Sequence, residues 1–402
     1  MTLADTLKQQ ALDGAALSRD ASLEALRTLA RKQLSEQPFP GRKTEQWKYT
    51  SLAALEGGHL AHAAEGSASH NIPDFNAVQL IVRNGELQST PALPAGVQLR
   101  PMTPADAGDA LGNVFRIFNA ATLNQGWVLE IAPGTQIEQA LHLVIVTDSE
   151  SPASASNRVK VTLGESSKLN LVEQYLGRGP ALCSSVVTMH VGANAALTHY
   201  RLQTESADSL HISSSEIFQQ RDSRVASYQL MTGNRLRRNE LRVWMNEPGA
   251  ELSLRGAFLA RESSHIDNQI CIEHAAPHCH SDQIFKGIAG ETATSVFNGR
   301  IHIHPGAKGT DAQLANNNLL LSNGAEIDSK PELEIYNDDV KCSHGCTVGQ
   351  MDSQQLFYLR ARGISEADAK RMLGIGFINE LLLSLPDEQI AEWARQQLSA
   401  SL

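Results

Sequence analysis

Three hydrophobic patterns succeed one another along the chain. In the first sixty or so residues apolar side chains recur at helical spacing. Leu23, Leu26, Ala30 and Leu34 form one stripe behind Ser22, and Pro38-Phe39-Pro40-Gly41 stops that helix. Leu3, Leu7 and Leu12 predict a shorter helix before it. From about Gln79 to Ile335 the period falls to two, as in Val159, Val161, Leu163 and in Val187, Met189, Val191, so that apolar side chains share one face of short strands. Beyond Gly349 the helical period returns. Asp352 caps a helix carrying Leu356, Tyr358 and Leu359 that ends at Gly363; Ser365 with Asp368 opens a second through Met372, Ile375, Phe377 and Leu381; Pro386-Asp387 starts a third with Ile390, Trp393 and Leu398. These helical faces are too apolar for a free tail, so they pack on the β region, on a partner, or on both.

The strand region is periodic on a longer scale. Gly192-Ala193, Gly249-Ala250 and Gly306-Ala307 each open a turn at 57-residue steps, and Gly164 lies about half a step before the first. A unit of 28 residues then predicts turns near 220 and 278, where Arg221-Asp222-Ser223 and Pro277-His278 stand. Each unit holds two strand-sized segments, for example residues 197–202 and 212–218. Such units bury their inner face only when stacked, which predicts a mainly β fold: a flattened parallel β-helix, or solenoid, between N-terminal and C-terminal α-helical regions. A β-sandwich also yields many short strands but has no need of a constant period. The expected division is 1–70 helical region and linker, 71–345 β-helix, and 346–402 helical region. Residues 56–69, rich in Gly, Ala, His and Ser, read as a linker or loop. The helical flanks are expected to cap the open ends of the β-helix.

With 402 residues the chain can bury a large core, and aromatics at only 5% make that core mostly aliphatic. The net charge of −10 excludes a nucleic-acid surface, which needs a concentrated excess of Lys and Arg. Arg235, Arg237, Arg238 and Arg42, Lys43 are short clusters that read as solvated faces. No apolar run approaches the roughly 18 residues of a membrane span. Five scattered cysteines suit free thiols and a reducing cytoplasm.

No G-x-x-x-x-G-K-[ST] loop, G-x-S-x-G elbow or H-E-x-x-H helix occurs, so ATP hydrolysis by this chain is not expected. The segment from Cys271 to His280 is dense in ligand types, with His265, His302 and His304 on neighbouring rungs. His278 and His280 can share a face, Cys279 cannot join them, and hydrogen bonding along the solenoid is the expected role of the group, His274 included. In the segment GRKTEQWKYTSL, Trp47 and Tyr49 read as aromatic anchors of a turn, with binding as the alternative.

The strongest candidate chemistry stands at residues 330–350, KPELEIYNDDVKCSHGCTVGQ. Cys342, His344 and Cys346 fall on one side of an extended chain, and Gly345 leaves the backbone free to close around an ion. Two thiols and an imidazole suit zinc, copper(I) or iron and sulfide, but fall short of a four-ligand site. The missing ligands come from another subunit, or the residues are ordinary members of a turn. The run from Leu333 through Ile335 and Tyr336 to Val340 reads as an edge strand for pairing with another chain. Glu332, Glu334, Asp338 and Asp339 supply either hard ligands or a solvated face. Two other functions fit these features: a β-helix enzyme acting on polysaccharide, and a self-contained zinc-binding structural protein.

At these residues the chain resembles the SufD family, paralogous to SufB, of the SUF iron-sulfur cluster assembly system. The resemblance rests on KPELEIYNDDVKCSHGCTVGQ, on QLFYLRARGIS at 355–365, on PGRKTEQWKYT at 40–50 and on SDQIFKGI at 281–288, and it covers the whole chain in order. It implies a right-handed parallel β-helix and a non-catalytic scaffold that pairs with SufB near the end of the solenoid. Leu333, Ile335, Tyr336 and Val340 would supply the pairing edge, to SufB or, in isolation, to a second copy. It further implies docking of the SufC ATPase on the C-terminal helices, for which Phe357, Tyr358, Leu359, Met372 and Phe377 are the expected contacts. Cys342 and His344 are implied as a nascent-cluster site shared with SufB, with Cys346 beside them. The cofactor is then a transient cluster or iron at the subunit interface, with none tightly held by the isolated chain.

Overall fold

The computed structural model describes residues 8–9, 11–12, 20–55, 61–62, 69–108 and 112–402. Of the helix expected around Leu3, Leu7 and Leu12, the described residues 8–9 and 11–12 are helical, while Leu3, Leu7 and most of the 56–69 linker lie outside them. Within that linker Ala61–His62 pairs in parallel with Ala153 and Ser154.

Successive strands alternate between two facing sheets, so each pairs in parallel with the strand two ahead. The first sheet stacks Ala153–Leu163, Ala181–Val191, Leu210–Gln219, Leu236–Met245, His265–His274, Thr294–Ile303 and Glu326–Ile335. The second stacks Lys168–Arg178, Ala196–Gln203, Arg224–Thr232, Glu251–Ala260, His280–Ala289, Thr310–Leu320 and Val340–Gln350. This is the parallel β-solenoid the repeat predicts. Its turns are unequal, running from 26 residues between Leu210 and Leu236 to 32 between Thr294 and Glu326. The regular element is one corner. Ser166, Asn194, Asp222, Gly249, His278 and Gly306 all have φ between +55° and +87°. That left-handed conformation suits Gly and is tolerated by Asn and Asp. Backbone bonds tie the corners together, including Asn194 N–H to Arg221 O at 2.8 Å and His278 N–H to Lys308 O at 2.9 Å.

Among the described residues the α-helices that flank the solenoid include α1 Glu24–Glu36, α2 Pro104–Ala107, α3 Val114–Ala121, α4 Ser353–Ala361, α5 Glu366–Leu383 and α6 Glu388–Ser401. Asn113 caps α3, Asp352 α4, Ser365 α5 and Asp387 α6, each accepting from backbone N–H groups of the first turn. Instead of capping the ends of the solenoid as expected, α1, α3, α5 and α6 cover its flat outer faces. Leu26, Ala30 and Leu34 of α1 with Phe115 and Phe118 of α3 pack on Leu182, Leu210 and Leu236 of the first sheet. Ile378, Leu381, Ile390 and Leu398 of α5 and α6 pack on Val172, Tyr200, Leu230 and Ile288 of the second. The reason is chemical: these outward rows are apolar and must be covered, whereas a solenoid end presents backbone edges.

The arginines read as a solvated face divide. Arg235 is exposed, but Arg237 and Arg238 are buried. Arg237 pairs with Glu205 at 2.6 Å, and Arg238 pairs with Asp267 and lies 3.8 Å over the ring of Trp47. Trp47 is itself buried and stacks on Phe115 at 5.0 Å, so the 40–50 segment is an anchor on the first sheet. Thr50 completes it by donating to Asp267 at 2.5 Å.

The last strand runs on to Gln350, so the boundary expected at 345 falls inside it. All five cysteines are free thiols. Among the described residues no helix is long and apolar enough to cross a membrane.

Candidate functional site

Glu326–Ile335 and Val340–Gln350 each pair on one side only, with Thr294–Ile303 and Thr310–Leu320 respectively. They are the terminal strands of the two sheets, and the solenoid is open there. The single edge strand expected from Leu333 to Val340 is corrected by this arrangement. Leu333 and Ile335 finish one edge, Tyr336 leaves it, and Val340 opens the other. Between them the Asn337 side chain accepts the Asp339 N–H at 3.0 Å, a local bond that turns the backbone out of the extended run. Ile335, Tyr336 and Val348 are 42%, 61% and 47% exposed, an apolar rim of the kind that marks an interaction site when contiguous.

Cys342, His344 and Cys346 stand on this rim. Register places them beside Ala312, Leu314 and Asn316, all buried side chains of the solenoid interior. The three residues therefore continue the interior rows at the open end and share one face, as the spacing implies. Gly345, however, stays extended within the strand, so the backbone does not close around an ion. Alternate residues of a strand stand about 6.6 Å apart, too far for three side chains to meet at metal–ligand bonds of about 2.0–2.3 Å. The half-buried Cys342 thiol is pushed up from its ordinary pKa by burial, with the Asp311 carboxylate adding to the effect. His344 is exposed and Cys346 half-buried. One chain thus offers a line of donors at the end of its core, without the geometry to enclose a metal.

The edges are held to the body by side-chain ties. Thr347 donates to Asn317 at 2.9 Å along the second sheet, and Ser329 donates to Asn316 at 2.7 Å across the interior. Lys330 pairs with Glu45 at 3.0 Å, joining the terminal segment to the 40–50 anchor. On the helical side, Phe357 and Tyr358 are 74% and 57% exposed, and α4 buries none of its residues. Met372 is exposed and Leu359 partly so. Phe377 differs: it packs beside the helix–sheet interface, 5.3 Å from the Lys286 ammonium, which donates to the Phe377 carbonyl at 2.9 Å. It is part of the footing of α5 rather than a free contact.

The Cys271 to His280 segment is dispersed by the fold. His278 is a corner residue, His280 is exposed, and His274 points inward to Ser281 at 2.9 Å. Glu273 instead meets His302 and His304, and among the described residues this is the one group of three or more His, Cys, Asp or Glu side chains with converging ligand atoms. Sequence reasoning placed the two histidines on a neighbouring rung but passed over Glu273. The available signal was the step of one turn, 29 residues, that sets Glu273 beside His302.

The chain is similar to known proteins along most of its length. The family model for the SUF system FeS cluster assembly SufBD core domain matches residues 144–377. The chain is 30% identical to the iron-sulfur cluster assembly protein SufD of Escherichia coli, over 90% of this chain and 89% of that one. It is 29% identical to an iron-sulfur cluster assembly SufBD family protein of Synechocystis, over 98% and 94% of the two chains. It is 27% identical to the chloroplastic protein ABCI7 of Arabidopsis thaliana, over 100% and 90%. A match across more than half of the chain, together with full-length relatives, places this chain in the SufBD family of the SUF iron-sulfur cluster assembly system.

Proposed function

We propose that this chain is the scaffold subunit of a SufBCD-type complex, pairing with a SufB subunit through the open end of its solenoid and docking a SufC ATPase on its C-terminal helices. The observation that carries the reading is the pair of unpaired edge strands at the C-terminal end of the solenoid, one of which bears Cys342, His344 and Cys346. A second open solenoid set against this end would satisfy the edge N–H and C=O groups and cover Leu333, Ile335, Tyr336 and Val348. It would also bring ligands opposite Cys342 and His344, completing a site that one strand leaves incomplete. Iron and sulfide are the cargo of that shared site, and this chain contributes the Cys342 thiolate and the His344 imidazole. ATP hydrolysis belongs to the SufC partner, whose closure would shift the two scaffolds and open the junction. Phe357, Tyr358 and Met372 are the apolar contacts offered to it. The free thiols suit a reducing compartment such as the cytoplasm. Without SufB, the same edge would accept a second copy of this chain.

The test is co-expression with SufB and SufC, anaerobic isolation and visible spectroscopy. A ternary complex with cluster absorbance, lost in His344→Ala, is expected. Unchanged cluster content in that variant, or no ternary complex, contradicts the proposal.

A further inference from the structure

We propose that Glu273, His302 and His304 form a second metal site, for an exchangeable first-row divalent cation, on the outer face of the first sheet one strand in from the open edge. Glu273 lies on His265–His274 and His302 on Thr294–Ile303, in direct register, with His304 just past the end of the same strand. Alternation along the strand sends both histidines to the same outer face, where they turn towards one carboxylate oxygen. His302 Nδ1 lies 2.6 Å and His304 Nε2 2.9 Å from Glu273 Oε2, and the two imidazoles stack with centroids 4.0 Å apart.

A single histidine would satisfy this oxygen as a structural hydrogen bond. Two imidazole nitrogens and a carboxylate oxygen aimed at one point form the donor set of a two-histidine, one-carboxylate metal site, which leaves coordination positions open. Glu273 is almost fully buried, and its nearest cation is Arg242 at 3.8 Å, beyond hydrogen-bond reach. The two imidazoles and the Cys271 thiol satisfy that carboxylate here, and a dication at its second oxygen would take the place of the imidazole protons. The first oxygen of Glu273 is occupied by the Cys271 thiol at 3.4 Å. That contact orients the carboxylate and leaves its second oxygen facing the two imidazoles. A donor set of two nitrogens and one oxygen selects Fe(II), Co(II), Ni(II) or Zn(II) over Mg(II) or Cu(I).

Access and placement fit an ion that comes and goes. His302 and His304 are only half-buried, and a polar groove of about 430 Å³, lined by Cys271 and Arg300 but not by the three ligands, lies beside them. The register row of the site continues to Glu334 on the terminal strand, and His302 lies edge-on to the exposed Tyr336 at 5.6 Å. The site is thus adjacent to the open end but chemically separate from Cys342 and His344. Its use as a holding place for iron rests on the proposed function; metal binding does not.

The experiment titrates the metal-free full-length chain with Co(II) and follows visible d–d absorption. One Co(II) per chain is expected, without the intense near-ultraviolet bands of thiolate ligation. His302→Ala and His304→Ala, confirmed folded by circular dichroism, should each weaken binding by at least about tenfold, as should the isosteric Glu273→Gln. Cys342→Ser and His344→Ala should leave the titration unchanged. Absence of Co(II) absorption in the unmodified chain, a titration unaltered by His302→Ala and His304→Ala, or its loss in His344→Ala overturns the proposal. Because no partner is present, these outcomes are independent of whether a ternary complex forms.

Discussion

In the middle turns of the solenoid, charged side chains lie inside the molecule beside their partners; in the last turn, polar donors lie at the end of the interior with partners on one side only. Glu205 sits between Arg237, at 2.6 Å, and His211. Glu173 contacts Arg201 and His199 at 3.1 Å. All six of these side chains are buried; Glu205 lies just past the strand Ala196–Gln203, and the strands that carry the other five are paired on both sides. Cys342, His344 and Cys346 occupy equivalent inward positions on a strand paired on one side. The same backbone thus builds a self-sufficient polar interior where turns continue, and an incomplete one where they stop. The proposed partner would complete that end.

The largest effect should come from breaking the middle. Arg237→Leu leaves Glu205 buried without its cation and should lower the unfolding free energy by about 3–5 kcal/mol in urea titrations. A loss below about 1 kcal/mol would mean that the middle is not held by its ion pairs.

Acid should attack the same region next. Burial acts to raise the pKa of Glu173 and of Glu205, but Arg201 with His199, and Arg237 with His211, outweigh it and hold each at about 2. The ordinary value is 4.5, so each contributes stability that is fully present above about pH 4.5 and is lost as pH falls towards 2, about 3 kcal/mol apiece at most. His142 works in the same direction at higher pH. Burial pushes it down to about 4, so its protonation costs stability as pH falls from 6.5 towards 4. Denaturation midpoints measured from pH 7 to pH 3 should therefore fall progressively. A midpoint that rises on acidification would contradict this account of the interior.

The helical face permits a finer contrast. Phe357→Ala should weaken SufC binding by about 2 kcal/mol and leave the stability of the chain unchanged. Phe377→Ala, at the footing of α5, should lower stability by about 1–2 kcal/mol, less than a fully buried phenylalanine. Calorimetric titration of SufC and thermal melts of both variants separate the two roles.

Much of this fold was legible because its corners leave a chemical trace. A left-handed residue is required once per turn, and Gly249 and Gly306, with Asp222 and His278 at the intermediate positions, carry it. The caps at Asp352, Ser365 and Asp387 were equally readable, since an N-cap is a local bond. Where the helices lie was not, because it depends on which outward rows are apolar, a property of stacked strands rather than of any one strand. Arg237 and Arg238 were misread for a related reason: their partners, Glu205 and Asp267, stand about a turn away in the chain. At the candidate site, spacing correctly put Cys342, His344 and Cys346 on one face. It could not show that Gly345 stays extended, or that Glu273 meets two histidines across a turn.

The central claim is that the open end is the partner-binding face, and the double variant Ile335→Asp, Val348→Asp tests it most directly. Both side chains are exposed, so the chain alone should change stability by less than about 0.5 kcal/mol. The measurement is co-purification of this variant with SufB and SufC under anaerobic conditions. Loss of SufB with retention of SufC is the expected result. A variant that retains SufB at the level of the unmodified chain would contradict the account.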